Sequence, residues 1–402
     1  MERLKRPAFL FFFRQDHPFL DVEQMLRGAL VPASVGRSYA LSAARGEAVP
    51  ISDDQLRLVI SLPSDEWVEP PNDDVAAFGE LAQEGVVLSD GDDPKLAEFR
   101  RRDERLAETG WNAYSALFHF YTRWRDVDVR PTLGGEPIAE LPPISQEAVE
   151  RFVADRGKPP RAFHSVADGR PALELPLVGR EDGLFDLLTR RRTTRAFDGS
   201  RRLALDELAL VLRYVFGVHG YASMLDEVVT LKRTSPSGGG LHPVEAYPLV
   251  ADVEGIEPGL YHYRTRDHAL EPIEALGSSD EARALATNLM CGQTYFGSAH
   301  VVFVLTARFE RSHWKYRDHH KAYPAMLMDA AHLSQTLYLV ATSLGLGAFV
   351  TAAVNGANIE ERLGLDSYTE GVLAVAGCGP PAAEPSPFDP RFLPYEPRET
   401  EI

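Results

Sequence analysis

The sequence predicts an α+β protein of two domains, in which helices and strands alternate along the second half of the chain. Three observations lead to this prediction. The chain has 402 residues, more than one hydrophobic core normally holds, so two domains are expected. Its 44% hydrophobic and 25% charged residues are typical of a globular protein. From residue 180 onward, short apolar runs alternate with helical patterns.

Charge and cysteine content narrow the class of protein. A formal net charge of −17 argues against nucleic-acid and anionic-membrane partners, because both require a basic face. Two cysteines, Cys291 and Cys378, are too few for a disulfide framework or a cysteine-based zinc site. The apolar run at 8–13 is short for a signal peptide, and no other run reaches the length of a membrane span, so we expect a cytoplasmic protein.

The first half of the chain has one long helical pattern, at 93–125, with Gly110 as the candidate break. We interpret its apolar stripe as core packing rather than a cofactor contact, and His119 beside it likewise. The stripe consists of Trp111, Tyr114, Leu117, Phe118 and Tyr121. Residues 131–180 are rich in proline and glycine and predict a surface connector, with one short helix at 145–155 and a domain boundary near 170–180.

The second half alternates regularly between helices and strands. Helices are predicted at 184–191, 205–216 and 323–344, and strands at 246–252, 300–307, 348–354 and 371–376. Gly345 ends the longest helix. Asn358 is the predicted N-cap of a short helix between the last two strands.

An arginine-rich segment, TRRRTTRAFD at 189–198, is the first candidate site. With Arg201 and Arg202 it concentrates six positive charges in an acidic chain. The planar guanidinium group suits phosphate because it donates two parallel hydrogen bonds, and Thr193 or Thr194 could add a hydroxyl donor. A solvated cationic face is the alternative interpretation.

A glycine-rich segment, KRTSPSGGGLHPVEAY at 232–247, is the second. Apolar residues follow the three glycines at once, so the segment lies inside a folded domain rather than in a linker. It matches neither the phosphate-loop pattern nor the dinucleotide fingerprint. We interpret it as backbone lying against a planar ligand, with Ser235 and Ser237 as donors, or else as a structural turn.

A third segment, WKYRDHHKAY at 314–323, can donate or accept protons through Lys315 and Tyr316, with His319 and His320 nearby. No metal-binding spacing accompanies the paired histidines, so we expect no metal site. A lysine next to a tyrosine is also common on surfaces. His332, on the long helix, is interpreted as a hydrogen-bonded core histidine rather than a catalytic residue.

In this order the motifs resemble the SagB-type dehydrogenases, which belong to the nitroreductase-like FMN flavoproteins. The resemblance covers 181–382 and includes Asp-Ala-Ala-His in the long helix and Leu-Gly-Leu-Gly-Ala after it. It implies a nitroreductase-like FMN-binding domain at 176–402, with a central mixed sheet flanked by helices. A smaller N-terminal α/β domain with the connector occupies 1–175, and a winged-helix-like peptide-recognition module is considered there by analogy alone.

The resemblance also assigns residues to an FMN site. The phosphate would be held by Arg191, Arg192, Thr193 and Arg195. The flavin would lie along Ser235, Ser237, Gly238 and Gly239. Backbone near the isoalloxazine edge would come from Thr351, Ala352 and Ala353.

Family members that mature ribosomally synthesised peptides oxidise thiazoline or oxazoline rings to thiazoles or oxazoles. FMN accepts the hydride, and a Lys-Tyr pair, here Lys315 and Tyr316, is implicated in removing the proton. The resemblance implies a precursor peptide as substrate, a cyclodehydratase that first forms the ring, and a homodimer with its flavin sites at the dimer interface.

The chain departs from the family pattern at three places. His242 stands where tyrosine is usual, Arg317 where glycine is usual, and the helix reads Asp329-Ala-Ala-His332 where Glu-Ala-Gly-His is typical. Two other functions are open: an NAD(P)H-dependent nitroreductase of a small quinone or nitro compound, and a catalytically inactive flavin-fold peptide scaffold.

Overall fold

A computed structural model describes most of the chain. The described residues are 2–19, 33–71, 74–130, 132–133, 136–137, 145–158, 162–163, 175–176, 178–180, 182–225, 228–317, 319–390 and 392. Much of the predicted connector at 131–180 therefore lies outside them. No helix among the described residues is both long and apolar enough to cross a membrane.

The first half combines short strands with five helices among its described residues. In chain order these are β1 (Leu4–Lys5), β2 (Leu10–Phe19), β3 (Ala33–Ser42), β4 (Ala48–Ile51), α1 (Asp53–Ser61), α2 (Val75–Gln83), β5 (Leu88–Ser89), α3 (Pro94–Glu108), α4 (Ala113–Thr122), β6 (Thr132–Leu133), β7 (Glu136–Pro137) and α5 (Gln146–Arg156). Strands β2, β3 and β4 form an antiparallel sheet, and β1 pairs with β5. A small core of its own, including Ala40, Val59 and Phe78, lies within this half.

The break predicted at Gly110 is confirmed. Helix α3 starts after the side chain of Asp93, which accepts from two backbone amides, and α4 starts in the same way after Asn112. Between them Gly110 has a φ of +75°, a left-handed conformation that side-chain-bearing residues rarely adopt. One helical pattern therefore becomes two helices joined by a tight turn.

The second half contains the longer elements. In chain order these are α6 (Gly183–Arg190), α7 (Leu205–Val211) with a π-helical turn (Leu212–Phe216), β8 (Gly220–Leu225), β9 (Val228–Lys232), a 3₁₀ turn (Gly238–Gly240), β10 (Val244–Val250), β11 (Gly259–Arg264), β12 (Ala269–Ala275), α8 (Ser279–Leu289), α9 (Thr294–Gly297), β13 (Val301–Arg308), α10 (Phe309–Tyr316), α11 (Ala322–Ser343), β14 (Gly347–Thr351), α12 (Gly356–Leu363) and β15 (Glu370–Gly379).

A six-stranded sheet forms the centre of this half, in the order β12-β11-β10-β13-β15-β14 among the described strands. All five ladders are antiparallel. The parallel component of the predicted mixed sheet is limited here to single bridges, one of which joins Thr193 to Ala348 on edge strand β14. Alternate residues of β13 enter two cores: Phe303 packs on the side of α7 and α11, and Val304 on the side of α8.

Two sequence predictions are wrong. The short helix α12 begins after Asn355 rather than Asn358, because the Asn355 side chain bonds the backbone of Val127 and so fixes this turn. The aromatic stripe is not core packing as a whole. Trp111 is 2% exposed, but Tyr114, Phe118 and Tyr121 are 70%, 54% and 52% exposed. Helix α4 instead buries its other side, through Ser115, Ala116, His119 and Phe120.

Candidate functional site

The glycine-rich segment forms a loop that is hydrogen-bonded to helix α11. Ser237 Oγ donates to Asp329 Oδ2 at 2.6 Å, and the amide of Gly238 donates to Asp329 Oδ1 at 3.0 Å. Two turns further along α11, the hydroxyls of Ser235 and Thr336 lie 2.6 Å apart. Asp329 is buried, so its carboxylate holds the loop in place where water does not compete. The sequence singled out Asp329 only as a departure from the family's glutamate.

Gly239 lies at the centre of this loop, with a φ of +66°. A Cβ at this position would collide with the Tyr316 hydroxyl and lie 3.0 Å from Lys315 Nζ. Glycine is therefore favoured by the backbone conformation, and it leaves room for the present positions of these two side chains. His242 completes the loop, also with a positive φ, of +47°, and its amide donates to Ser237 Oγ at 2.8 Å.

Lys315 and Tyr316 are brought to the glycine loop by helix α10. Lys315 Nζ lies 3.4 Å from the carbonyl oxygen of Gly239. Arg311, one turn earlier, donates from Nε to the carbonyl of Leu241 at 2.8 Å. Two segments separated by 70 residues of sequence thus form one cluster, in which an amine and a phenol lie beside exposed glycine backbone.

The arginine-rich segment lies at a different place, beside the last turns of α11 and strand β14. Thr193 Oγ1 and the Tyr338 hydroxyl lie 3.1 Å apart, and the Arg191 guanidinium lies 5.2 Å from the centre of the Tyr338 ring. The amide of Thr194 donates to the carbonyl of Ala348 at 2.8 Å. The segment therefore extends the edge of the central sheet.

The arginines of this segment differ in their partners. Arg195 forms an ion pair with Asp389 at 2.8 Å. Among the residues that the structure describes, neither Arg191 nor Arg192 has a carboxylate partner, and Arg192 is exposed. Two cations are thus available for an anion, whereas Arg195 would have to exchange Asp389 for it.

The third predicted segment, Thr351 to Ala353, begins at the last residue of β14 and is fixed by Gln293. The Gln293 amide donates to the carbonyl of Ala353 at 2.8 Å, and the Thr351 hydroxyl donates to the Gln293 side-chain oxygen at 3.2 Å. Gln293 is buried, and no sequence motif singled it out. Its role follows only from the fold, because it lies 58 residues before Thr351.

A cleft of about 750 Å³ lies next to this segment, between α4 and the second half. One wall consists of Phe118, Tyr121 and Trp124, and Leu327 and Ala352 lie opposite. Phe118 and Tyr121, which the helical pattern predicted to be core residues, therefore line a concave surface together with Trp124. Helical spacing identifies an apolar stripe, but it does not show which side of the helix another element covers.

Residues 188–379 match the model of the nitroreductase family. A putative nitroreductase of Methanocaldococcus jannaschii is 32% identical to the chain over 198 residues, which are 49% of this chain and 91% of that protein. The chain belongs to the nitroreductase family. The resemblance read from the sequence and the predicted α+β fold are both confirmed.

Two further relatives are named for peptide processing. The trifolitoxin-processing protein TfxB of Rhizobium leguminosarum bv. trifolii is 32% identical over 241 residues, or 58% of this chain and 60% of that protein. The microcin B17-processing protein McbC of Escherichia coli is 29% identical over 154 residues, or 37% of this chain and 55% of that protein. The chain thus spans little more than half the length of either. The matches to both relatives agree with the resemblance of this chain to the SagB-type dehydrogenases of the nitroreductase-like superfamily.

Nitroreductase-family proteins bind flavin, and one buried ring nitrogen of helix α11 lacks a hydrogen-bond partner among the described residues. His332 is half-buried, on the same side of α11 as Asp329 and Thr336. Its Nδ1 is buried and has no hydrogen-bond partner among the described residues. The prediction of a hydrogen-bonded core histidine is therefore wrong, and a polar ligand beside the glycine loop would satisfy this nitrogen.

Two buried polar contacts connect the region of α4 in the first half with the nitroreductase domain. His119 Nδ1 lies 2.9 Å from the Tyr323 hydroxyl, and burial lowers the pKa of His119 to about 3. Glu360 accepts from Arg123 at 2.8 Å, yet burial raises the pKa of Glu360 to about 7. The core position predicted for His119 is confirmed.

No group of three or more metal-binding side chains occurs in the described part of the chain.

Proposed function

We propose that the protein is an FMN-dependent oxidoreductase that matures a ribosomally synthesised peptide by oxidising azoline rings to azoles. One observation carries this proposal above the others. The pair Lys315 and Tyr316 lies against Gly239, so a proton-transfer group stands directly beside the backbone proposed to carry the flavin. The name of the trifolitoxin-processing relative supports a peptide substrate over a small molecule.

The residues present fit FMN. Arg191 and Arg192, free of carboxylate partners among the described residues, would hold the phosphate, with the Thr193 hydroxyl beside them. Ser235, Ser237, Gly238 and Gly239 would lie along the flavin, and the orphaned Nδ1 of His332 would gain a partner there. Backbone of Thr351, Ala352 and Ala353 would meet the ring edge.

The bound flavin would supply the two-electron acceptor, which takes a hydride from the azoline ring. The chain itself must remove the proton that leaves with it. Lys315 Nζ and the Tyr316 hydroxyl both approach Gly239, so either, in its deprotonated form as amine or phenolate, could accept that proton from a ring lying over the glycine loop. The carboxylate of Asp329 fixes the loop, so that the ring and the base keep a constant separation.

The first half would contact the peptide. The aromatic wall formed by Phe118, Tyr121 and Trp124 belongs to this half, whereas Ala352 opposite belongs to the segment proposed to meet the flavin. A peptide residue lying in this cleft would therefore be held next to the reactive ring. We assign residues 1–175 to peptide recognition and connection and 176–402 to the oxidoreductase domain, in a homodimer located in the cytoplasm, with a cyclodehydratase as a partner.

A small-molecule nitroreductase is the second candidate, favoured by the putative nitroreductase that the chain covers almost completely. It would use NAD(P)H as the donor and would turn over without any peptide. A non-catalytic scaffold is disfavoured by the close packing of Lys315 and Tyr316 on the glycine loop, which peptide holding alone does not require.

The test combines flavin content with two conservative variants. Purified protein should show flavin absorption that moves to the supernatant on heat denaturation, as expected for noncovalent FMN. Lys315→Met and Tyr316→Phe should retain that flavin but lose roughly 100-fold or more of azoline oxidation, measured by mass spectrometry as loss of two hydrogens from an azoline-containing peptide. Unchanged turnover in both variants would reject the assigned mechanism. Reduction of a quinone by NAD(P)H with no peptide oxidation would favour the second candidate.

A further inference from the structure

Helix α10 contacts the two halves of the chain with opposite sides. Phe309 and His313 lie four residues apart and so share one side, and Arg317, the residue directly after the helix, reaches the same part of the first half. Arg311 and Lys315 also lie four apart, but each is two residues from His313, about 200° around the axis. The first three contact the turn between α3 and α4, and the other two reach the glycine loop.

Two hydrogen bonds join this helix to the end of α3. Arg317 Nη2 donates to the carbonyl of Glu108 at 3.0 Å, and His313 Nδ1 to the carbonyl of Thr109 at 3.0 Å. Carbonyls at a helix C-terminus have no partner within the helix, and a cation there also interacts favourably with the helix dipole. Burial lowers the pKa of His313, so the ring is neutral and carries its proton on Nδ1.

The turn between α3 and α4 is shaped for this contact. A Cβ on Gly110 would lie 3.0 Å from Arg317 Cγ, so glycine leaves room for the arginine stem to lie across the backbone. The next residue, Trp111, packs edge-on against Phe309 and His313, with ring centres 4.6 and 5.0 Å away. Phe309, His313 and Arg317 are thus all in contact with residues of the first half.

We propose that Arg317 is a positioning residue that holds Lys315 and Tyr316 over the glycine loop by tying the end of α10 to the end of α3. The first half is then a structural part of the active site as well as a peptide-binding surface. Glycine at this position, as in the SagB-type pattern, offers no side chain for such a tie. The inference rests on the proposed function for the roles of Lys315 and Tyr316.

The test compares Arg317→Met, which keeps an unbranched apolar stem but no donor, with Arg317→Lys, which keeps a charged donor. Arg317→Met should lower kcat for azoline oxidation about tenfold with KM changed less than about twofold, because the base is displaced while the peptide surface is intact. Arg317→Lys should recover at least half of the lost rate. Arg266→Met, at an exposed arginine of the β11–β12 turn, is the matched control and should behave as wild type.

A second measurement does not depend on the reaction. In the FMN-loaded full-length protein, Arg317→Met should accelerate amide hydrogen exchange in 309–317 and leave exchange in 322–343 and the FMN content unchanged. Unaltered exchange in 309–317 would overturn the inference even if the proposed function is correct. If Arg317→Met accelerates exchange in 309–317 but the wild-type protein oxidises no azoline, the result would support the tie and reject the assigned reaction. Loss of FMN together with turnover would overturn it as well, since Arg317 would then serve general stability.

Discussion

At the scale of single residues, Gly239 is constrained by its backbone conformation and by its neighbouring side chains, and substitutions can test the two constraints separately. Its φ of +66° makes any side chain strained, and its hydrogens face the Tyr316 hydroxyl and Lys315 Nζ. Gly255 has a similar φ of +72° but no atom within 4 Å of where a Cβ would lie. The two glycines therefore differ in their neighbours and hardly at all in their backbone.

Gly239→Ala should lower the free energy of unfolding by about 1–2 kcal/mol through backbone strain and lower azoline oxidation at least tenfold, because the new methyl group displaces Tyr316. Gly255→Ala should show a similar loss of stability with unchanged turnover. Urea denaturation and steady-state kinetics of both variants provide the comparison. Equal turnover in the two would mean that the contact of Gly239 with Tyr316 has no catalytic consequence.

At the scale of elements, helix α11 separates the two groups of proposed flavin contacts. Thr336 faces the glycine loop, whereas Tyr338 faces the arginine-rich segment. Two residues correspond to about 200° of rotation, so these contacts lie on opposite sides of the helix. One flavin can meet both groups if the arginines come from one subunit and the glycine loop from its partner, which agrees with the proposed homodimer.

Complementation tests this shared arrangement. The double variant Arg191→Ala/Arg192→Ala and the single variant Lys315→Met should each be inactive in the peptide assay. Co-expressed, they should regain about a quarter of wild-type activity, because half of the dimers are mixed and each mixed dimer has one site without either change. A mixture that stays inactive, with mixed dimers verified by mass spectrometry, would place both groups in the same subunit's site.

The three chemistry-bearing segments were predictable from sequence because glycine runs, arginine clusters and a Lys-Tyr pair are local patterns. Their mutual placement was predictable only in part. Asp329 and Gln293 fix the loops through bonds to residues 92 and 58 positions away, and no local pattern encodes such distances. The aromatic stripe on α4 was misassigned because periodicity gives the spacing of apolar side chains and not what covers them.

At the scale of the whole molecule, the two halves are held together by buried polar bonds. Trp111 Nε1 donates to the carbonyl of Tyr368 at 3.0 Å, and Asn355 pairs with both backbone groups of Val127. His119 and Glu360 lie in the same region, and their pKa values are moved in opposite directions by one cause, burial. Their contributions to the free energy of unfolding should therefore change in opposite directions as the pH falls below neutrality.

The direction of each change in stability with pH follows from the protons bound in the folded and the unfolded state. The pKa of His119 is about 3 in the folded protein, so below about pH 6.5 only the unfolded chain takes up this proton, and stability falls on acidification by up to about 1.4 kcal/mol per pH unit. The pKa of Glu360 is about 7 when folded, against 4.5 as its ordinary value. Its contribution is therefore present below pH 4.5 and lost as the pH rises through 7.

His119→Phe should consequently remove the His119 loss and keep the opposite contribution of Glu360, so that between pH 6.5 and pH 5 its free energy of unfolding gains about 2 kcal/mol relative to wild type, whatever its effect at neutral pH. Urea titrations at half-unit intervals of pH measure this slope. His320→Asn, at an exposed position, should leave the slope unchanged. An acid limb of wild-type steepness in His119→Phe would show that other groups dominate acid unfolding.

The packing of helix α10 against the α3–α4 turn also limits how this enzyme can be re-engineered. Exchanging the first half for that of a relative is a direct way to change which peptide the proposed enzyme accepts. Such a chimaera would keep its arginines, its glycine loop and the other proposed flavin contacts, yet the carbonyls of Glu108 and Thr109 that accept from Arg317 and His313 would leave with the discarded part. A graft that preserves residues 94–124 and exchanges only what precedes them keeps both the support of the base and the aromatic wall of the cleft.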